Sequence, residues 1–353
     1  MIRVLVAEDS PTARQLLVSM LSDDPEIEVI AEATTGTEAV EMALRLLPDI
    51  VTMDVQMPEL DGLGATERIM ASAPCPILIV SSLARDADIS LSLDATRAGA
   101  LLVLPKPEGP NSSLFEGERR HLVSMVKALS RVKVVRRRRS PETGPESMAI
   151  GKRRSPTEPM RVRGPASLVA IGSSTGGPAA LRDLTLELPR NFAVPILVVQ
   201  HIARGFVDGL ARWLGADTGI KVKVAEDGEI ALPGTMYIAT DSRHLEVRRD
   251  EGGRFRLVLT ATSPVGTFRP SVTRLFESAA DAVGDRLLAV VLTGMGDDGV
   301  AGLVAVKDRG GSVIAQDEGS SVIYGMPREA VRTGLVDSVL PLSAIPRRLV
   351  ELT

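Results

Sequence analysis

A chain of 353 residues is longer than one small core requires and points to two domains joined by a connection. Apolar residues make up 44%, charged residues 24% and aromatics only 3%, so the cores must be built from Leu, Val, Ile, Ala and Met rather than from rings. A formal net charge of −4 excludes an overall nucleic-acid-binding character, and the single cysteine, Cys75, excludes an intrachain disulfide and a multi-cysteine zinc site.

The opening "MIRVLVAEDS" turns acidic at Glu8, too soon for the apolar stretch of a signal peptide. No run approaches the roughly 18 apolar residues of a membrane span, and the expected location is cytoplasmic. Apolar runs at 2–8, 28–33, 49–54, 76–82 and 99–105 alternate with amphipathic stretches at 11–23, 36–48, 62–73 and 89–99. A fifth helix is expected over 116–132. Such alternation predicts a five-stranded parallel sheet, doubly wound and flavodoxin-like, with helices on both faces.

Residues 131–163 change character, with 11 Lys or Arg against three Glu and many Pro, Ser and Gly. They read as a solvated basic linker, with docking of the linker, Arg136 to Arg139 included, on an acidic partner or nucleic acid as the alternative. From 166 a second alternation begins. Strands are expected at 167–173, 194–201, 221–226, 235–240, 287–294 and 311–317, with helices at 178–188, 206–215, 270–284 and 301–310. The stretch 244–261, alternating around Glu-Gly-Gly, predicts a β-hairpin set into a mostly parallel, doubly wound α/β domain. The expected division is a first domain over 1–125, a linker over 126–165 and a second domain over 166–353.

The first domain gathers carboxylates at strand ends: Glu8 and Asp9 after the first strand, Asp54 after the third. Ligands of open parallel sheets bind outside the strand C-termini. Three carboxylates there repel one another unless a cation sits among them, and oxygen ligands of this kind suit Mg²⁺. Ser81 and Ser82 end the fourth strand, and Lys106 follows the fifth. "MDVQMPELDG", "VSS" and "LPKP" resemble the response-regulator receiver family over about residues 1 to 125. The resemblance implies phosphorylation of Asp54 by a histidine kinase, with Mg²⁺ held by Asp9, Asp54 and the backbone carbonyl of Gln56. Glu8 assists, Ser81 matches the switch hydroxyl, and Lys106 matches the lysine that contacts the phosphoryl group. Val103 stands where an aromatic switch residue is common.

In the second domain, "LVAIGSSTGGPAAL" raises three possibilities: a phosphate cradle, a serine nucleophile on a tight turn, or a plain bend. A P-loop needs a lysine that does not follow Gly177, and Ser174 stands where a dinucleotide fingerprint has its second glycine. Gly172-Ser173-Ser174-Thr175-Gly176 does fit Gly-x-Ser-x-Gly between a strand and a helix, the context of a nucleophile elbow. A serine needs a base, most often His. Of the three histidines, His121 sits on a charged helix and His244 opens the hairpin, while His201 ends a strand in the same crevice as Ser174. Asp297 and Asp298, after another buried strand, offer a carboxylate to orient the imidazole.

"AIGSSTGGP", "VVQH", "LTGMGDDG", "IAQDE" and "YGMPREA", in this order and behind a receiver, resemble the chemotaxis protein-glutamate methylesterase (CheB) family. The resemblance implies a cytoplasmic hydrolase that demethylates glutamate methyl esters on chemoreceptors, also deamidates glutamines, and needs no metal in this domain. Ser174 is then the nucleophile, His201 the general base and acid, and Asp298 the histidine orienter; Asp297 receives no catalytic role. Oxyanion candidates are the N–H groups of Thr175, by elbow logic, and Met295, by resemblance. Two rivals are a receiver-controlled esterase or amidase acting on a different signalling protein, and a non-catalytic phospho-regulated adaptor.

Overall fold

The computed structural model describes residues 1–82, 94–95, 98–112, 115–132, 164–202, 205–216 and 218–353. Most of the helix expected over 89–99, and most of the linker with Arg136 to Arg139, lie outside the described residues. The first unit runs β1 (Ile2–Ala7), α1 (Pro11–Ser22), β2 (Ile27–Ala33), α2 (Gly36–Leu46), β3 (Ile50–Met53), α3 (Gly62–Ser72), β4 (Ile77–Ser81), β5 (Leu102–Pro105) and α4 (Phe115–Leu129). Its five strands pair in the order β2-β1-β3-β4-β5, all parallel. This is the flavodoxin-like order, whose crevice opens between β1 and β3.

Alternation along each strand divides the side chains between two cores. Leu5, Ala7, Val51, Met53, Ile77 and Ile79 face one helical layer, and Val4, Val6, Ile50, Leu78 and Val80 face the other. Helix α4 belongs to the second layer and buries Leu122, Met125, Val126 and Leu129 there, so packed residues of this unit continue past position 125. Cys75 is a buried free thiol whose pKa burial pushes up to about 12.

The second unit runs β6 (Leu168–Ser173), α5 (Gly177–Glu187), β7 (Ile196–Gln200), α6 (Val207–Gly215), β8 (Lys221–Val224), β9 (Thr235–Ile238), β10 (His244–Arg249), β11 (Phe255–Thr260), α7 (Val272–Val283), β12 (Leu287–Val291), α8 (Val300–Asp308), β13 (Ser312–Gln316), α9 (Met326–Arg332), β14 (Ser338–Leu340) and α10 (Ile345–Leu352). Seven strands pair in parallel in the order β14-β13-β12-β6-β7-β9-β8. Val169, Ile171, Val198 and Val290 feed one core, and Leu168, Ala170, Val199 and Ala289 the other. The expected hairpin, β10 with β11, forms a separate antiparallel sheet. Its Leu245, Val247 and Leu257 pack with Leu275 and Phe276 of α7.

The two units touch through Val322 and Ile323, in the loop between β13 and α9, which pack against the receiver core containing Leu104, Leu122 and Val126. No helix among the described residues is long and apolar enough to cross a membrane.

Candidate active site and acidic pocket

In the seven-stranded sheet the chain winds outward in both directions from the β12/β6 pair, so the topological switch point lies at the C-terminal ends of β6 and its neighbours. Ser174 follows β6, His201 follows β7, and Thr293 to Asp298 follow β12. The β6–β7 register pairs Ser173 with Gln200, which sets Ser174 and His201 side by side.

Between them lies a residue to which sequence reasoning gave no role. Gln200, 3% exposed, accepts from Ser173 Oγ at 2.7 Å and donates through Nε2 to the carbonyls of Ser174 and His201, both at 2.8 Å. It fastens the Ser174 turn to the strand that ends beside His201. Gly177 leaves room for it, since a Cβ there would come within 1.9 Å of Gln200 Oε1. On the other side of Ser174, a Cβ on Gly294 would stand 2.8 Å from the serine Cβ. Ser174 N–H donates to the Thr293 carbonyl at 3.1 Å, and Thr293 Oγ1 donates to the Thr175 carbonyl at 3.0 Å. Among the described residues, the N–H groups of Thr175 and Met295 donate to no protein acceptor.

His201 Nε2 meets Asp298 Oδ2 at 2.9 Å, and its Nδ1 is buried with no partner among the described residues. Asp298 itself is heavily tied. Its Oδ1 accepts from Ser271 Oγ at 2.8 Å and Thr273 N–H at 3.1 Å, while Oδ2 also accepts Val272 N–H at 2.7 Å. These donors are the first turn of α7, whose positive dipole end favours a carboxylate. Burial alone would raise the Asp298 pKa, but the His201 contact and the Val272 and Thr273 N–H bonds outweigh it and hold the carboxyl below its ordinary range. Asp297 is exposed. The Phe268 ring stacks on His201 with centroids 4.4 Å apart and planes 6° from parallel; it too went unnoticed in the sequence, because it lies in a loop without periodicity.

In the first unit, Glu8, Asp9 and Asp54 bring carboxylate oxygens within 4.8 Å of one another. Lys106 Nζ lies 2.7 Å from Glu8 and 2.9 Å from Asp54, and Val55 N–H donates to Asp54 Oδ1 at 2.7 Å. Burial, with the Asp54 charge beside it, raises the Glu8 pKa against the pull of Lys106. Burial would depress Lys106, but its contacts with Glu8 and Asp54 prevail and raise it. Ser81 is buried at the end of β4, its carbonyl accepting Lys106 N–H at 3.2 Å. Gln56 is exposed two positions beyond Asp54.

A CheB methylesterase family model matches residues 169–349, and a response regulator receiver domain model matches residues 4–114. The chain is 50% identical, over 99% of its length and 96% of the relative's, to protein-glutamate methylesterase/protein-glutamine glutaminase 4 of Myxococcus xanthus. It is 48% identical, over 99% and 98%, to protein-glutamate methylesterase/protein-glutamine glutaminase 3 of Anaeromyxobacter dehalogenans. The crystal structure of the Thermotoga maritima CheB methylesterase catalytic domain, 41% identical, covers 53% of this chain and is itself covered to 99%, with a TM-score of 0.52. Matching motifs, sheet order and full-length relatives agree: the chain belongs to the CheB methylesterase family, with a response-regulator receiver domain ahead of the methylesterase domain.

Proposed function

We propose that this chain is a phosphorylation-controlled serine hydrolase that demethylates glutamate methyl esters, and deamidates glutamines, on the cytoplasmic helices of methyl-accepting chemoreceptors. The observation that carries the reading is the His201–Asp298 bond at 2.9 Å with His201 Nδ1 left unpartnered, beside the strand end that bears Ser174. With Nε2 committed to Asp298, Nδ1 is the nitrogen that takes the Ser174 proton. Ser174 Oγ attacks the ester carbonyl carbon, the carbonyl oxygen gains the charge, and the N–H groups of Thr175 and Met295 stabilise it. One such donor contributes about 3–4 kcal/mol to transition-state stabilisation. The His201 proton passes to the departing methoxide, methanol leaves, and an acyl-enzyme remains. Water then attacks, His201 takes its proton at Nδ1 and returns it to Ser174, and glutamate is released. A glutamine substrate follows the same path with ammonia as the leaving group.

Asp298 does not change protonation in this scheme. Fixed by α7, it holds the imidazole tautomer and balances the imidazolium. The receiver spans about 1–125 with α4 completing its core, a basic linker follows to 165, and the hydrolase spans 166–353. Asp54 takes a phosphoryl group from a histidine kinase. Three carboxylates against one Lys106 ammonium leave negative charge that suits a hard divalent cation. Asp9, Asp54 and the Gln56 carbonyl would hold Mg²⁺, which when bound screens the charge on the phosphoryl oxygens. Lys106 contacts a phosphoryl oxygen, Ser81 acts as the switch hydroxyl, and Glu8 supports the pocket.

Control runs through the domain contact. Val322 packs on the receiver core, and its side chain also fills the space where a Cβ on Gly176 would stand, within 2.5 Å. Through this loop the receiver is coupled to the Ser174 turn, and in this reading the receiver without a phosphoryl group restrains that turn. Methanol release from a methylated receptor tests both parts: Ser174→Ala is expected to abolish it, and full retention overturns the nucleophile. Removing residues 1–160 is expected to raise the basal rate, and an unchanged or lower rate overturns the autoinhibition.

A further inference from the structure

We propose that Phe268 is a positioning residue for His201: its ring fixes the plane of the imidazole so that Nε2 stays on Asp298 while Nδ1 is turned toward Ser174. The proposal rests on His201 being the base described above. A ring held by one hydrogen bond can still swing about that bond, and among the described residues the His201 ring has only the bond to Asp298, since Nδ1 has no partner there. The parallel contact with Phe268, 4.4 Å between centroids and 6° between planes, closes off that swing. When the imidazole takes the Ser174 proton, the same phenyl face lies against a cation and attracts it. The stack thus favours the charged form that arises in the transition state.

Phe268 is not a core residue. It is part of neither apolar cluster of its domain and is only half-buried. Its placement comes from the loop that carries it. Phe268 and Val265 exchange two backbone hydrogen bonds, at 3.0 and 3.1 Å. Fully buried His244 ties the ends of this segment, donating from Nε2 to the Ser263 carbonyl and accepting Ser271 N–H at Nδ1, both at 3.2 Å. The Ser271 hydroxyl donates in turn to Asp298. One small network therefore sets both of the contacts that orient His201. The far edge of the Phe268 ring faces Gly296, beside Met295, with its Cζ 3.9 Å from where a Cβ would stand.

The test uses the full chain with a phosphodonor, methylated receptor as substrate, and imidazole ¹⁵N resonances, which only three histidines crowd. Phe268→Leu is expected to lower kcat about tenfold, the upper end for an aromatic pair, with KM within about twofold. Phe268→Met, which keeps bulk but no ring, should behave likewise and guards against a folding defect in the first variant. Phe268→Tyr should recover most of the rate. In the wild type, His201 should show one protonated and one unprotonated nitrogen, and in Phe268→Leu the two should move toward their mean. Wild-type kcat together with unmoved nitrogens in Phe268→Leu overturns the proposal, as does an equal loss in Phe268→Tyr. The nitrogen readout needs no turnover, so it decides the positioning role even if Ser174→Ala were to show that the catalytic reading is wrong.

Discussion

Replacing Gln200 by Leu keeps the bulk of a buried side chain and removes all three of its hydrogen bonds. Their loss is not equal in effect. The Ser174 carbonyl retains the Gly177 N–H at 2.8 Å, whereas the Ser173 hydroxyl, in a residue with no exposure, and the His201 carbonyl lose their Gln200 contacts. A buried polar group left unsatisfied costs about 1–3 kcal/mol. The Ser173 hydroxyl belongs toward the upper end, and the part-buried His201 carbonyl toward the lower, so Gln200→Leu should destabilise the hydrolase domain by about 3–5 kcal/mol. Ser173→Ala breaks only the bond to Gln200 Oε1 and should cost about 1–2 kcal/mol by the same reasoning. Because both variants delete one shared contact, the double variant should fall short of their sum by about 1 kcal/mol or more.

The only tryptophan, Trp213, is 7% exposed on α6 in the hydrolase domain. Its fluorescence during denaturant unfolding therefore reports that domain alone, which matters because a two-domain chain need not unfold in one step. Activity should separate the variants further. Gln200 holds the backbone of both Ser174 and His201, and a displacement of about 1 Å between reacting groups can cost about 10²-fold. Methanol release should drop far more in Gln200→Leu than in Ser173→Ala. A Gln200→Leu protein that unfolds within about 0.5 kcal/mol of wild type, with strictly additive single effects, would refute the role given to this side chain.

Three other outcomes follow from the same geometry. Gly177→Ala drives a methyl group to within 1.9 Å of Gln200 Oε1; loss of at least about tenfold in kcat is expected, and wild-type turnover would show that the turn can yield. Because the folded Asp298 pKa is held below its ordinary value, its stabilisation is complete above that ordinary value and drains away as pH falls through the folded one. Acid unfolding followed at Trp213 should thus be less steep in Asp298→Asn, and superimposable slopes would contradict this. In the receiver, Asp54→Asn should keep the basal rate and lose all response to phosphodonor, while Asp9→Asn should weaken Mg²⁺ binding about tenfold or more by calorimetry. A phosphodonor response retained in Asp54→Asn would place the phosphoryl group elsewhere.

Much of the architecture was legible because buried parallel strands write themselves as short apolar runs. Leu168 to Ile171 and Leu287 to Val291 bury every residue, and no periodicity is needed to see them. The C-terminal stretch was not legible: β14 has three residues and α9 seven, each too short for a pattern, and α10 was likewise not anticipated. Strand ends also pointed to Ser174, His201, the Asp297–Asp298 pair and Asp54, since a polar residue closing an apolar run has nowhere to be except the crevice. What could not be read were contacts that depend on segments meeting. Gln200 was one more residue of an expected strand until the register set it against Ser173. Asp297 and Asp298 are chemically identical neighbours, and only the arrival of α7, with Val272 and Thr273 N–H groups 26 and 25 residues away in sequence, makes one of them a buried, hydrogen-bonded carboxylate and leaves the other in solvent.

The same distinction explains why the two histidines of this domain have opposite fates. Both are drawn to the crevice side, but His244 has each nitrogen committed to backbone, one donating to Ser263 and one accepting from Ser271. Both nitrogens are spent on backbone, so this ring serves as a brace. His201 has one nitrogen committed and one unpartnered, which is the minimum a proton carrier requires: a fixed point that sets the tautomer, and a basic nitrogen with nothing else to bind. A sequence names both as histidine. Which becomes a brace and which is left open for the proposed role of base is decided by how many of its nitrogens the fold satisfies.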